Sequence, residues 1–246
     1  MSNMFITSAS GNIGTPLLPL LLASPSIKNI ICPTTNAARL RAQIPTTDRI
    51  TVLAGSIQHP VWLEQTLRDH DIAIVFLNLT GADELFTTCN FLSAVLRAPC
   101  VRHLVYLSAC GDLMPRAVFQ ERLGGLVLPG HVLVKTAVEQ MLRGCPVWND
   151  EGRGGGGRTF TILGPTLFFG NDLRGKGGMM GPGGVYGEPV GTKGVSRVDV
   201  KDIALAVVKV AEEPERWSGR KIMIGSKQLY TVSSPGSRDG FGVTVD

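Results

Sequence analysis

The residues best suited to chemistry stand at the start of the chain, in Thr7-Ser8-Ala9-Ser10-Gly11-Asn12-Ile13-Gly14. An apolar run precedes them and a mostly apolar segment ending at Ala23 follows. The spacing is that of G-x-x-G-x-x-G, with Ser8 in place of the first glycine. Between a strand and a helix this pattern suits a pyrophosphate. Gly11 lets the backbone approach the phosphate oxygens, Gly14 lets the helix pack on the strand, and the helix start, with Asn12 and Ile13, holds the negative charge. Ser10 can add a hydroxyl donor, whereas Ser8 must take a backbone that glycine reaches more easily. Two glycines alone make an ordinary turn; the flanking strand and helix make a dinucleotide site.

The end of the second strand carries the next clue, Cys32-Pro33-Thr34-Thr35-Asn36, with Arg39 and Arg41 just beyond. NAD sites place a carboxylate there to hold the ribose hydroxyls, and none is present. Thr34, Thr35 and Asn36 can therefore face a 2'-phosphate without like-charge repulsion, and Arg39 is the candidate cation. The expected cofactor is NADP, with NAD as the alternative. The plainer account of both arginines is a solvated helix face.

Alternating strand and helix signals must position these groups. Strands are expected at 4–7, 27–32, 50–54, 72–77, 103–108 and 159–163, and helices at 12–23, 37–43, 61–68, 84–96 and 130–142. That rhythm predicts an α/β fold, a Rossmann-like doubly wound parallel sheet with helices on both faces. Pro19 denies the Thr15 carbonyl its N–H partner, so the first helix should bend or start irregularly. The segment 144–158, with Gly154 to Gly157, reads as a surface-loop insert, and 170–194, rich in Gly and Pro, as a lid. Asp199, with Asp202 three residues on, should cap a helix running to Glu213, and 220–224 is a last strand candidate. One domain over 1–231 is expected, followed by a disordered or loosely packed tail, 232–246.

Composition narrows the partners. In 246 residues, 43% of them hydrophobic, one substantial core can form. The net charge of +4 is scattered and offers no basic field for nucleic acid. Five cysteines without a CxxC pair, and a start without a basic then apolar leader, predict reduced thiols in a cytoplasmic protein with no metal site. No apolar stretch is long enough for a bilayer, so no membrane span is expected. A monomer or weak homodimer is anticipated.

Several short motifs together resemble a known family: SASGNIG at Ser8 to Gly14, VLAGSIQHP at Val52 to Pro60, HLVYLSACG at His103 to Gly111, Lys135 and Glu139, TILGPTLFFGN at Thr161 to Asn171, and VSRVDVKDIA at Val195 to Ala204. In their order and spacing the chain resembles the NmrA-like group of atypical short-chain dehydrogenases/reductases, of fungal type, from Met4 to about Thr231. The resemblance implies that Leu77, Asn78 and Ser108 lie under the nicotinamide half of the cofactor, and that Pro165 to Phe168, Leu167 included, flank its other side. It places Ser56 and Ile57 near the adenine, with Ser56 where the family has an aspartate. It also implies that the C-terminal part, which helps form the substrate pocket in the family, is small or truncated here.

Short-chain enzymes work with a serine and Tyr-x-x-x-Lys, and His131 stands at the tyrosine position in His131-Val-Leu-Val-Lys135. The i, i+4 spacing puts both groups on one helix face. Lys135, in an apolar setting, is expected to bind the ribose, since a bare buried ammonium has a large desolvation cost; the alternative is a lysine snorkelling to solvent. His131 can pass a proton near neutral pH and Ser108 can polarise a carbonyl, so Lys135, His131 and Ser108 are the catalytic candidates. Each also has a purely structural reading. Tyr106 and Cys110 read as structural. Two functions follow: an NADP-dependent reductase of a small apolar organic substrate, suggested by the apolar and glycine-rich 167–187, or a catalytically silent, redox-sensing regulator acting through a protein partner. The missing tyrosine favours the second.

Overall fold

The computed structural model describes residues 1–79, 83–111, 130–148, 157–171, 194–230 and 242–244. Its elements are β1 (Ser2–Ile6), α1 (Gly14–Ala23), β2 (Ile27–Thr34), α2 (Ala37–Arg41), β3 (Ile50–Ala54), α3 (Pro60–Asp69), β4 (Ile72–Leu77), α4 (Glu84–Arg97), β5 (His103–Leu107), α5 (Gly130–Gly144), β6 (Thr159–Pro165), β7 (Leu167–Phe168), β8 (Val195–Val198), α6 (Val200–Glu212), β9 (Lys221–Gly225), β10 (Leu229–Tyr230) and β11 (Gly242–Thr244). The main sheet runs β11-β9-β6-β5-β4-β1-β2-β3. All its pairings are parallel except β11 with β9. This is the expected doubly wound fold, with β9 adding a seventh parallel strand.

The period-2 alternation of the strands feeds two cores. Met4 and Ile6 of β1, with Val105 and Leu107 of β5, pack beneath Leu17, Leu18 and Leu21 of α1 and Ile203, Val207 and Val210 of α6. Phe5, Leu104 and Tyr106 face the other way, against Leu63 and Leu67 of α3, Phe91 and Val95 of α4, and Val138 and Leu142 of α5. Each buried leucine of this kind contributes about 1.5 to 3 kcal/mol, enough in sum to hold α1 together across Pro19. The helix continues through that proline, and both Pro19 and Thr15 lie on its exposed side, where water can reach the carbonyl that lacks an N–H partner.

Other expectations are refined. Asp199 caps α6 by accepting the Lys201 N–H at 2.8 Å. A small second sheet, β10-β8-β7, is absent from the sequence reading, because its strands of two to four residues are too short to show a period. Within the expected tail, Gly242–Thr244 pairs antiparallel with β9. The expected insert 144–158 is anchored at both flanks. Pro146–Trp148 forms one 3-10 turn with Trp148 only 3% exposed, and Arg158 donates to the carbonyls of Val95, Leu96 and Ala98 at the end of α4. Its centre, 149–156, and most of the expected lid, 172–193, lie outside the described residues. Among the described residues no helix is long and apolar enough to cross a membrane, and no group of His, Cys, Asp and Glu could hold a metal ion.

Candidate functional site

The turn after β1 is built by close approach of backbone. Ser8 sits at a φ of 55°, in the left-handed region that glycine occupies more easily. Its Oγ donates to the Asn78 carbonyl at 3.0 Å, and Thr7 Oγ1 donates to that carbonyl at 3.0 Å and accepts the Asn78 N–H at 2.7 Å. These bonds lock the ends of β1 and β4 together. The Gly11 N–H closes the turn on the Ser8 carbonyl at 2.9 Å. A Cβ on Gly14 would stand 2.3 Å from the Ser8 oxygen and 2.4 Å from that of Ala9, so no side chain fits there. On Gly11 it would stand 3.0 Å from the Ser8 oxygen, which a small shift relieves. Ile13, in the cap position of α1, makes no side-chain cap bond, so no side chain of its own competes with an anion for the helix start. Ser8, Ser10 and Asn12 are exposed, whereas Ile13 and Gly14 are buried.

A cleft of about 470 Å³ opens from this turn toward the ends of β2 and β3 and the start of α4. It lies at the carboxyl ends of β1 and β4, where the strand order reverses. Ser8, Thr34, Ser56 and Ile57, all singled out from sequence, line it together with Thr7, Thr35, Leu79, Glu84 and Thr87. The Thr34 carbonyl accepts the Gly55 N–H at 2.8 Å, and Thr34 Oγ1 accepts the Asn36 N–H at 3.1 Å. Asn36 Oδ1 caps α2 by accepting the Arg39 N–H at 3.0 Å. Arg41 is committed to β3, donating to the Val52 carbonyl at 3.3 Å, whereas Arg39 is exposed. Ser56 Oγ accepts the Gln58 N–H at 3.2 Å, and Gln58 Nε2 donates to Thr87 Oγ1 at 3.1 Å, joining the β3 loop to α4.

Some expected members do not join this lining. Leu77 is fully buried in the core beneath the helices, and Asn78 offers the cleft region mainly backbone already bonded to Thr7 and Ser8. Pro165 and Leu167 sit across the sheet, the Pro165 carbonyl accepting the Cys110 N–H at 3.0 Å. His131 falls in the first turn of α5, and its side chain lies outside the described residues.

Buried charge lies behind the cleft, and of its members only Glu84 lines it. Lys135 is 6% exposed, and its Nζ donates to the carbonyls of Leu79 at 3.0 Å and Leu107 at 2.8 Å and pairs with Glu84 Oε1 at 2.5 Å. An ammonium has three N–H donors, and these partners take all of them. Tyr106 Oη also donates to Glu84 Oε1, at 3.3 Å. Glu84 Oε2 has no hydrogen-bond partner among the described residues. Glu84 was missed in the sequence reading; the available signal was that a buried lysine needs a carboxylate partner. A second cluster joins Ser108, whose Oγ donates to Glu139 Oε1, to Lys221, whose Nζ reaches the same oxygen at 2.7 Å and the Gly111 carbonyl at 2.7 Å. The Ser108 proton is thereby committed to Glu139, and its lone pairs are not used in that bond; the side chain is buried and does not line the cleft.

Desolvation dominates the titration of Lys135, Tyr106 and Cys110. It lowers the Lys135 pKa against the opposing pull of Glu84, and raises that of Tyr106 with help from the same carboxylate. Burial raises the Cys110 thiol in spite of nearby Lys221, which leaves it a poor nucleophile.

The fold, the reversal of strand order and the glycine-bearing turn define a dinucleotide-binding Rossmann protein. The chain belongs to the NAD(P)H-binding family, which matches residues 8–214. Similar solved structures include a Rossmann-fold NAD(P)-binding family protein from Shigella flexneri, at 19% identity and a TM-score of 0.57, covering 98% of this chain and 100% of that one. A wide-type short-chain dehydrogenase/reductase from Veillonella parvula DSM 2008, in complex with NADP, shares 20% identity at a TM-score of 0.61, covering 94% and 97%. NmrA, a negative transcriptional regulator in complex with NADP, shares 18% identity at a TM-score of 0.67, covering 93% of this chain and 67% of that one. At these identities the likeness is one of fold. No curated protein sequence matches the chain.

Proposed function

We propose that this protein binds NADP(H) across the cleft and acts as an oxidoreductase on a small apolar organic substrate. The observation that carries the reading is the turn from Ser8 to Gly14, too tight at Gly14 for any Cβ and opening on a helix start without a side-chain cap. The pyrophosphate lies against Gly11 and the N–H groups of Asn12 and Ile13, with the Ser10 hydroxyl beside it. Thr34, the Asn36 amide and exposed Arg39 receive the 2'-phosphate, and Ser56 and Ile57 flank the adenine. The hydroxyl-bearing end of β2, free of carboxylate, supports NADP over NAD. When bound, the cofactor supplies or takes up hydride. Among the protein's own groups, Ser108 orients the substrate through its lone pairs and His131 moves the proton.

A second reading, a redox-sensing regulator without catalysis, is favoured by one specific observation: the N–H groups of Lys135 are all spent inside the protein and no tyrosine stands four residues before it. Mixing the protein with NADPH and a panel of ketones, enones and quinones separates the two. Oxidation of NADPH that is lost in Ser108→Ala supports the enzyme. Tight NADPH binding with no oxidation by any acceptor supports the regulator.

A further inference from the structure

Resting on the dinucleotide reading, we infer that Glu84 takes the hydroxyls of the second ribose, the sugar on the nicotinamide side, and that Lys135 positions Glu84 without touching the cofactor. The sheet order fixes which end of the cofactor this is. Along the carboxyl edge, β3 and β2 carry Ser56 and Thr34, β1 carries the phosphate turn, and β4 and β5 come next. A dinucleotide laid with its adenosine at β2 and β3 and its pyrophosphate at β1 brings its second ribose to β4 and β5. Lys135 bridges the ends of those two strands, through the carbonyls of Leu79 and Leu107.

Hydrogen-bonding capacity then decides which side chain meets the sugar. Lys135 has no donor left: Leu79, Leu107 and Glu84 take all three. Glu84 lines the cleft, is 3% exposed, and spends one oxygen on both Lys135 and Tyr106. Its other oxygen, Oε2, has no partner among the described residues. A buried carboxylate oxygen without a donor is costly, and a pair of ribose hydroxyls supplies the donors that it lacks. The ammonium holds the Glu84 carboxylate in one position, so the acceptor is in place before the cofactor arrives.

Calorimetric titration with two probes tests this. NADPH carries the second ribose; adenosine 2',5'-bisphosphate lacks it and carries the rest of the adenosine half. In Glu84→Gln, NADPH affinity should fall about tenfold, as a charge-assisted bond becomes a neutral one, while the bisphosphate binds within about twofold of the unmodified protein. Glu84→Leu combined with Lys135→Met removes both buried charges together, so that neither is stranded, and should show the same split between probes. Lys135→Met alone should also weaken NADPH and spare the bisphosphate. Unchanged NADPH affinity in folded Glu84→Gln overturns the assignment, as does an equal loss for both probes. If the unmodified protein binds neither probe, the dinucleotide reading itself fails, a result distinct from both.

Discussion

Around the cleft, the phosphate turn at one end and the charged clusters toward β5 at the other are built by different physics. At the phosphate turn the design is backbone and shape: Gly14 has no room for a Cβ, Ser8 accepts a left-handed φ, and short hydrogen bonds from Thr7 tie β1 to β4. At the β5 end the design is buried charge: Lys135 with Glu84, and Lys221 with Glu139. The first end is shaped by steric access and by backbone at a helix start without a side-chain cap. The second is held by ions that are stable only while paired, so its geometry depends on all of its members at once.

The largest predicted effect breaks the second end. Lys221→Met strands the Glu139 charge and should lower stability by about 3 to 5 kcal/mol in urea unfolding; adding Glu139→Leu should restore most of it. If the single change is neutral, the buried charges do not organise this end. Next comes the first end, where Gly14→Ala drives a Cβ into two backbone oxygens and should cost about 3 kcal/mol, with loss of NADPH binding. An undisturbed melting temperature would show that α1 can slide away from β1.

A third prediction uses the far end of β5, away from the cleft. His103 is held between Thr159 and Thr161, and burial pushes its pKa down to about 4. An unfolded histidine titrates near 6.5, so between these values the unfolded chain binds a proton that the folded chain refuses. The His103 contribution is therefore complete above about pH 6.5 and is lost as pH falls toward 4, by up to about 3 kcal/mol. Thermal melts of His103→Gln should lack this part of the acid slope. An identical slope would place the responsible group elsewhere.

The smallest effect sharpens the first end. A charge-assisted bond from Arg39 to a 2'-phosphate contributes about 1.5 to 3 kcal/mol, so Arg39→Ala should lose about tenfold to a hundredfold of the preference for NADPH over NADH. Thr34→Asp should reverse the preference. Equal affinities in the unmodified protein would remove the NADP assignment, and an unchanged ratio in Arg39→Ala would move the phosphate contact to another cation.

The same contrast explains what the sequence could reveal. The turn from Ser8 to Gly14 is local: its strand, glycines and helix are neighbours in the chain, and its geometry follows from residue types. The strands at Ile50–Ala54 and Ile72–Leu77 were legible to the residue because short, mainly apolar runs between turn signals leave little choice of ends. The charged end joins residues far apart, Glu139 to Lys221 across 82 positions and Ser108 to Glu139 across 31, and no periodicity marks such a pairing. Lys135 was legible as a lysine in need of a partner. That the partner is Glu84, and that the pairing spends its donors, required the fold.

Calorimetric titration of NADPH into the unmodified protein and into Gly11→Val tests the central claim most directly. Gly11 is the suitable probe because a Cβ there stands 3.0 Å from the Ser8 oxygen and 3.6 Å from the Ser8 Cβ, a far milder approach than the 2.3 Å at Gly14, while adding bulk where the account puts the phosphate. The account predicts saturable binding by the unmodified protein and its loss in a Gly11→Val protein of unaltered melting temperature. Unchanged affinity in that folded variant would contradict it.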